Sequence, residues 1–280
     1  NASSPPGDTR MGNVADARVY LRPVTALPGI ASPANQFELI TAAAGQEIRT
    51  RLDRADLVDG AGQTGKAREQ HISALLAHIE AARGDVCGLG MDRPRIMGVL
   101  NVTPDSFSDG GKNFDCGTAI AAAIDMRKAG ADIIDVGGVS TRPGSSAPSE
   151  AEELDRVMPV IAALAGEGAI VSVDTRRAVV MAAALEVGAK IINDVSALTA
   201  EPDGLNVAAR YAAPVVLVHM QGTPETMQEA PTYDHVALDI FDYLEGRIAA
   251  CEAAGIARQR LIVDPGIGFG KTMARNLEIM

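Results

Sequence analysis

Residues 96–111 read IMGVLNVTPDSFSDGG, an apolar run that passes directly into a polar segment. The run from Ile96 to Leu100 is typical of a buried strand, whereas the Asn, Thr, Asp and Ser residues after it are unsuited to a core. Parallel α/β proteins carry their sites at the carboxyl ends of strands, so this segment is the first candidate for a functional loop. Its Asn and Asp oxygens suit Mg²⁺, and backbone N–H groups beside a glycine pair suit a phosphate.

The chain after residue 95 alternates between short apolar runs and amphipathic segments. The predicted strands cover residues 96–102, 133–136, 170–173, 191–195, 215–220 and 261–263. The predicted helices cover residues 118–129, 150–165, 178–187, 205–211 and 236–254. Ser149, followed by several Glu residues, predicts the start of the second helix. Strands that alternate with helices in this way predict an array of βα units around a parallel sheet.

Each predicted strand ends in polar residues. These are Asn101, Asp135, Asp174, Asn193, His219 and Asp264. A doubly wound sheet concentrates its site at one switch point, whereas a barrel gathers every strand end around one mouth. The sequence therefore predicts an α/β fold of the TIM-type (β/α)8 barrel class, with about six βα units in this chain. The chain ends inside the sixth predicted helix, so an eightfold barrel would need two further strands.

Three segments divide the chain. Residues 1–17 are rich in Gly, Pro, Ser and Asp and are predicted to be disordered. Residues 18–94 form a weakly patterned N-terminal appendage, with short strands predicted at 18–23 and 37–40 and a helix over 68–82. His71 and His78 lie in or near that helix, and we interpret them as surface or packing residues because no carboxylate or Cys cluster joins them. The predicted barrel occupies residues 95–280.

The composition favours a parallel α/β protein and argues against several functional classes. Apolar residues make up 47% of the 280 residues and aromatic ones 3%, so aliphatic side chains must build the core. A net charge of -11 argues against general nucleic-acid binding. No apolar run reaches the ~20 residues of a membrane span, and no signal peptide is visible. The three separated cysteines predict reduced thiols in a cytoplasmic protein.

Three of the strand ends form the candidate site. Asp174, Asn193 and Asp264 offer two carboxylates and a carboxamide, which can hold the N–H edge of a flat, donor-rich heterocycle. Each residue alone is better explained as a helix cap, but the three together with the first loop favour a binding site.

Other polar segments are less specific. Residues 140–144 (STRPG) fit a substrate-contact loop and a plain turn equally well. His219 is better explained as a hydrogen-bonded core residue than as a catalytic base. Residues 266–271 (GIGFGK) are rich in glycine but fail the P-loop pattern.

The segments together resemble dihydropteroate synthase, a folate-pathway enzyme family. The resemblance covers the chain from about residue 95 to its end, in the family's order and spacing. It rests on residues 96–111, Gly137-Gly138, residues 140–144, residues 173–175 (VDT), residues 192–195 (INDV), residues 219–222 (HMQG) and residues 264–271 (DPGIGFGK). The first of these motifs is highly specific.

The resemblance implies condensation of 6-hydroxymethyl-7,8-dihydropterin diphosphate with 4-aminobenzoate, which gives 7,8-dihydropteroate and diphosphate. It also implies an eightfold barrel, Mg²⁺ and a homodimer. By position, Asn101 would bind the metal with the diphosphate, helped by Asp105, and Asp174 would stabilise the reacting pterin. The pterin would be held by Asp174, Asn193, Asp264 and Phe269. The aminobenzoate and the diphosphate would be contacted by Thr103, Pro104, Phe107, Ser108, Thr141, Arg142 and Pro143.

The sequence departs from the family pattern in two places. Val139 stands after Gly137-Gly138, where the family usually has Glu. The family's Ser-Arg-Lys-Ser loop after the seventh strand and its Arg–His pair on the eighth do not occur in the sequence. Two alternatives therefore stay open: a pterin-binding methyltransferase domain, which the long first loop disfavours, and an inactive, truncated pterin-binding module. Lys271 lies beside the predicted pterin loop and is given no catalytic role.

Overall fold

The computed structural model describes residues 18–24, 36–43, 46–61, 66–103, 116–139 and 148–280. Its contacts divide the chain into two compact units, residues 1–82 and residues 83–280. Within the described ranges the first unit carries an antiparallel sheet with two helices, and the second carries a parallel sheet with six helices. The segment predicted to be disordered, residues 1–17, lies outside the described residues.

The first unit is a three-stranded sheet with helices packed on it. Its elements are β1 (Arg18–Pro23), β2 (Gln36–Ala43), β3 (Gln46–Asp53), α1 (Arg54–Ala61) and α2 (Lys66–Glu80). Phe37, Leu57, Ile72 and Leu76 form its buried core. The predicted strands and the predicted helix are confirmed, whereas β3 and α1 were not predicted. The Nε2 atom of His71 lies 2.9 Å from the carbonyl oxygen of Val19, which agrees with a packing role.

The second unit contains six parallel strands in sequential order. They are β4 (Met97–Asn101), β5 (Ile133–Gly137), β6 (Val171–Asp174), β7 (Ile191–Asp194), β8 (Val215–Val218) and β9 (Leu261–Asp264). The helices between them are α3 (Cys116–Lys128), α4 (Glu150–Gly166), α5 (Ala178–Val187), α6 (Asp203–Tyr211), α7 (Val236–Ala253) and α8 (Met273–Ile279). This array confirms the predicted α/β fold with six βα units. Ser149 caps α4 through a reciprocal pair of bonds with Glu152, as the acidic helix start indicated.

The two faces of the parallel sheet have different neighbours. Side chains such as Val136, Val173 and Leu217 point outward and pack against the helices in aliphatic clusters. Residues at alternate positions share the opposite, inner face, because side chains alternate along a strand. On that face Ile191 and Val216 form a buried cluster near the amino ends of the strands, which Leu89 and its neighbours cover. The inner face is therefore apolar near the amino ends of the strands and carries its polar residues toward the carboxyl ends.

The described residues include no helix that is long and apolar enough to cross a membrane.

Candidate functional site

The strand register brings the predicted site residues to one level of the inner face. Asn101 pairs with Gly137, Gly137 with Asp174, and Asp174 with Asn193. Parallel strands in register point matched residues to the same side, so this row forms a continuous polar band. Asp264 pairs with Val218, two residues beyond the position of β8 that pairs with Asn193. It therefore lies one inner-face step, roughly 7 Å, closer to the mouth.

Asp135 lies two residues before Gly137 on β5, on the same face of the sheet, and contacts this row. Its Oδ2 accepts a 2.9 Å hydrogen bond from Nδ2 of Asn193, although 58 residues separate the two in sequence. Asp135 is buried, and burial raises the pKa of its carboxyl above the usual range, while the hydroxyl of Ser172 and then the amide of Asn193 oppose the shift. We call Asp135, Asp174 and Asn193 the acidic floor.

Asp174 occupies space that a glycine leaves open. A Cβ atom added to Gly137 would lie 3.2 Å from Oδ2 of Asp174, so the carboxylate of Asp174 lies over the backbone of β5. Burial, followed by the charges of Asp135, Asp194 and Glu153, raises the pKa of Asp174 well above its usual range, while Arg176 opposes the shift. A ligand that presents N–H donors or positive charge would relieve this repulsion.

Buried bonds behind Asp174 fix the backbone that carries it. Oε1 of the buried Glu153 accepts a 2.5 Å bond from Oγ1 of Thr175, and Oε2 accepts a 2.7 Å bond from Arg177. The amide of Thr175 donates to the carbonyl of Asn193. The carboxyl end of β6 is therefore held by both α4 and β7.

A small cavity opens beside the acidic floor. Its volume is about 150 Å³, and Asp174 and Glu153 line it together with Val139, Arg176 and Pro224. Val139, the residue that departs from the family pattern, thus lies at the edge of the cavity, where it supplies an apolar wall instead of a carboxylate. The cavity is smaller than the roughly 300 Å³ expected for a complete ligand pocket.

The loop after β9, residues 265–272, forms the other side of the mouth; we call it the β9 loop. Oδ1 of Asp264 accepts a 2.7 Å bond from the amide of Gly266, which turns the chain sharply. Gly266 has a φ of 67°, and a Cβ atom there would lie 2.0 Å from the carbonyl oxygen of His219. Only glycine allows the β9 loop to lie this close to the end of β8.

Lys271 fastens the β9 loop from inside. Its buried Nζ atom donates 2.8 Å bonds to the carbonyls of Gly266 and Phe269 and lies 3.0 Å from Nδ1 of His219. Burial lowers the pKa of Lys271 to about 8, while Asp264 opposes the shift. Burial and then the charge of Lys271 lower the pKa of His219 to about 4, so the ring is neutral at pH 7 and accepts from Lys271. Lys271 therefore acts as an internal clamp.

The structure groups the predicted site residues in two sets. Asn101, Asp174 and Asn193 share the register row, whereas Asp264 and Phe269 lie in and before the β9 loop. Thr103 is buried just after β4. Seven predicted residues lie outside the described residues: Pro104, Asp105, Phe107, Ser108, Thr141, Arg142 and Pro143. The binding roles of all these residues stay predictions.

Sequence reasoning missed two functional candidates. Asp135 was noted as a polar strand end but not assigned to the site, although a charged residue inside the apolar run IIDVG is a usable signal. The clamp by Lys271 had no local signal, because its partners come from β8 and from carbonyl groups. No group of three His, Cys, Asp or Glu residues that could hold a metal occurs in the described parts of the chain.

Comparisons with known proteins agree with the sequence motifs. Residues 97–280 match a family described as pterin binding enzymes. The dihydropteroate synthase of Escherichia coli strain K12 is 50% identical over 193 residues, which are 69% of this chain and 68% of that protein.

Two solved structures are also similar. Dihydropteroate synthase of Yersinia pestis, in complex with a sulfonamide drug, has a TM-score of 0.65 at 48% identity and covers 71% of this chain and 72% of that one. The enzyme of Xanthomonas albilineans with 4-aminobenzoic acid has a TM-score of 0.65 at 46% identity and covers 71% of each chain. A family match over residues 97–280 and 50% identity to a curated relative show that this chain belongs to the dihydropteroate synthase family of pterin-binding enzymes.

Proposed function

We propose that this chain forms 7,8-dihydropteroate and diphosphate from 6-hydroxymethyl-7,8-dihydropterin diphosphate and 4-aminobenzoate. The observation that carries the proposal is the acidic floor, where Asp174 and Asn193 meet in register and offer hydrogen-bond acceptors at the strand ends. A pterin ring presents N–H donors along its edge and complements such a row. The 4-aminobenzoic acid bound to the Xanthomonas albilineans relative supports the second substrate.

The acidic floor also suits the charge that develops during the reaction. When the diphosphate leaves, positive charge grows on the pterin and on its exocyclic methylene carbon. The Asp174 carboxylate, raised in energy by burial and by Asp135, is stabilised most when that charge is present. The neutral aniline nitrogen then attacks the methylene carbon, and little general-base work is needed. This agrees with a His219 that is held as a neutral acceptor by Lys271.

Asn101 is the proposed protein ligand of Mg²⁺. It lies exposed at the end of β4, level with Asp174 in the register. Proteins often bind Mg²⁺ with one or two side chains while substrate phosphates and waters fill the other positions, so a single described oxygen ligand fits this donor set. Bound magnesium would neutralise charge on the departing diphosphate. Asp105 would assist Asn101, and Thr103, Pro104, Phe107, Ser108, Thr141, Arg142 and Pro143 would shape the aminobenzoate and diphosphate subsites.

The test is product formation from the two purified substrates with Mg²⁺. We expect dihydropteroate to form, and Asp174→Ala to lower kcat/KM by about 100-fold or more because an electrostatic partner of the transition state is lost. Asp125→Ala is the matched control, because Asp125 is an exposed carboxylate on α3 that pairs with Lys128. Tight pterin binding without turnover would overturn the proposal in favour of a binding module.

The proposal also covers the oligomeric state and the location of the protein. The resemblance implies a homodimer, which sedimentation of the purified chain would test. It also implies a cytoplasmic protein, which fractionation of the source cells would test.

A further inference from the structure

We propose that Asp135 is a positioning residue that fixes the amide of Asn193 with its carbonyl oxygen available to a ligand, and so selects ligands that present an N–H donor there. The inference deepens the proposed function and rests on it, because the ligand in question is the pterin. Asp135 itself touches no reacting atom in this scheme.

The bond between Asn193 and Asp135 has a defined direction. Nδ2 of Asn193 donates to Oδ2 of Asp135 at 2.9 Å, so the NH₂ group of the amide faces Asp135 and its carbonyl oxygen faces away. A free Asn amide can turn about its last torsion and exchange its N and O atoms at little steric cost. The bond to Asp135 removes that freedom, and the amide then has one defined orientation.

The carbonyl oxygen of Asn193, Oδ1, is left available to a ligand. It is buried and has no hydrogen-bond partner among the described residues. Buried polar atoms without a partner are rare and often mark a functional site or an unseen ligand. Asn193 neighbours Asp174 in the register, so the two side chains present acceptors on adjacent strands. A ligand edge with N–H donors would satisfy both.

Asp135 lies in a buried strand, which limits its movement and allows it to orient Asn193. It is buried on β5 in a strand whose five residues are all buried, and it pairs with the buried Ser172 of β6. A carboxylate in such a place adds charge repulsion to Asp174, which is costly for a residue with only a packing role. A role in orienting Asn193 explains why a carboxylate stands at this position despite that repulsion.

The experiment measures binding of 6-hydroxymethyl-7,8-dihydropterin to the full chain by calorimetry. Three analogues each lack one donor: the 2-deamino analogue, the N3-methyl analogue and the oxidised pterin without N8–H. For the analogue that lacks the donor facing Asn193, we expect the wild type to lose affinity about 10-fold or more. Asp135→Asn lets the amide of Asn193 turn, so this loss should shrink to about 3-fold or less, while the losses for the other two analogues stay as in the wild type.

A double substitution keeps the test independent of folding defects. Asp135→Asn combined with Asn193→Asp preserves the net charge, reverses the donor and the acceptor of the bond, and leaves a carboxylate oxygen for the ligand. It should restore the wild-type discrimination. Ile134→Val is the control, because Ile134 is buried on the same strand but packs against the helices on the opposite face, away from the bond between Asp135 and Asn193; it should keep the wild-type losses. Thermal denaturation of each variant reports any purely structural effect.

Several results would overturn the inference. If Asp135→Asn keeps all three wild-type losses, or changes only the melting temperature, Asp135 has a structural role alone. A wild type that prefers an acceptor at the tested position would mean that the amide is turned the other way. Wild-type binding with turnover but without this discrimination contradicts the inference and leaves the proposed function intact, whereas a wild type that binds no dihydropterin contradicts both.

Discussion

The acidic floor and the β9 loop lie on two sides of one mouth, and they are positioned by different means. In the floor, Asp174 and Asn193 are matched by the register of neighbouring strands. In the β9 loop, Gly266 and Phe269 depend on a buried clamp, in which Lys271 donates to their backbone carbonyls. The floor is crowded with carboxylates, whereas the loop is built around a cation. Strand register alone thus brings the acceptors of the floor to one level, and Glu153 then supports the strand end, whereas the path of the loop depends on an internal donor.

Removal of the clamp should have the largest effect on stability. Lys271→Met would leave the carbonyls of Gly266 and Phe269 and the ring nitrogen of His219 without their buried donor. We expect the free energy of unfolding to fall by about 3 kcal/mol or more, because each unpaired buried acceptor costs roughly 1–3 kcal/mol. Urea denaturation measures this change.

The control for this prediction is Lys128→Met, which removes a lysine whose partner Asp125 is equally exposed. It should change stability by less than about 0.5 kcal/mol. A loss below about 1 kcal/mol for Lys271→Met would mean that water or another group replaces the donor, and the β9 loop would then need no clamp.

The second test uses two glycines of the same loop. Gly266 and Gly268 both have positive φ, but only Gly266 has backbone where a Cβ would be, 2.0 Å from the carbonyl of His219. Gly268→Ala should cost about 1 kcal/mol through backbone strain alone. Gly266→Ala should cost roughly 2 kcal/mol more and should weaken pterin binding, since Asp264 bonds to the amide of Gly266. Equal losses for the two variants would show that the contact with β8 is loose.

The sequence predicted the barrel-type sheet because its signals are local. Apolar runs between helical segments, and polar residues at the strand ends, are visible in windows of a few residues, and α5 was predicted with its observed bounds of Ala178–Val187. By contrast, β3 was not predicted because its residues are mostly exposed and carry charges, so the apolar alternation is weak. The fold class was therefore readable where burial is strong.

Site contacts were predictable to the extent that register determines them. Asp174 and Asn193 end neighbouring strands, so their meeting follows from topology. The bond from Asn193 to Asp135 spans two strands and depends on which face each side chain takes. The contacts of Lys271 depend on the path of a loop with several positive φ values, which no sequence pattern specifies. Long-range polar contacts thus escaped sequence reasoning.

The floor should show a conflict between stability and function. A folded pKa above the unfolded value means that Asp174 favours the fold at low pH and loses that contribution as the pH rises through its folded pKa. Asp174→Asn removes the repulsion with Asp135, so at pH 7 we expect unfolding to cost about 1 kcal/mol more than in the wild type, while pterin binding is lost. Denaturation at pH 7 and calorimetry measure the two effects. Asp203→Asn, an exposed residue in the first turn of α6, should not stabilise; a less stable Asp174→Asn variant would contradict the prediction.

The smallest expected effect is a pH dependence on the loop side, of opposite sign to that of the floor. The pKa of His219 is about 4 in the folded chain and 6.5 in the unfolded chain, so the unfolded state binds more protons between these values. The contribution of His219 is fully present above pH 6.5 and is lost as the pH falls through about 4. We expect this loss to be smaller than that caused by removal of the clamp, because Lys271 keeps its bonds to the carbonyls of Gly266 and Phe269 when the ring is protonated.

His219→Asn isolates this contribution from the carboxylates of the floor. Asn has no group that titrates in this range and can still accept from Lys271, so the variant should lose less stability than the wild type when the pH falls from 6.5 to 4.5. His78→Asn is the control, since His78 is exposed on α2, and it should follow the wild-type curve. Melting temperatures across this pH range test the prediction. Parallel curves for His219→Asn and the wild type would mean that the ring is protonated beside Lys271 in the folded chain. The clamp would then contain two cations instead of one.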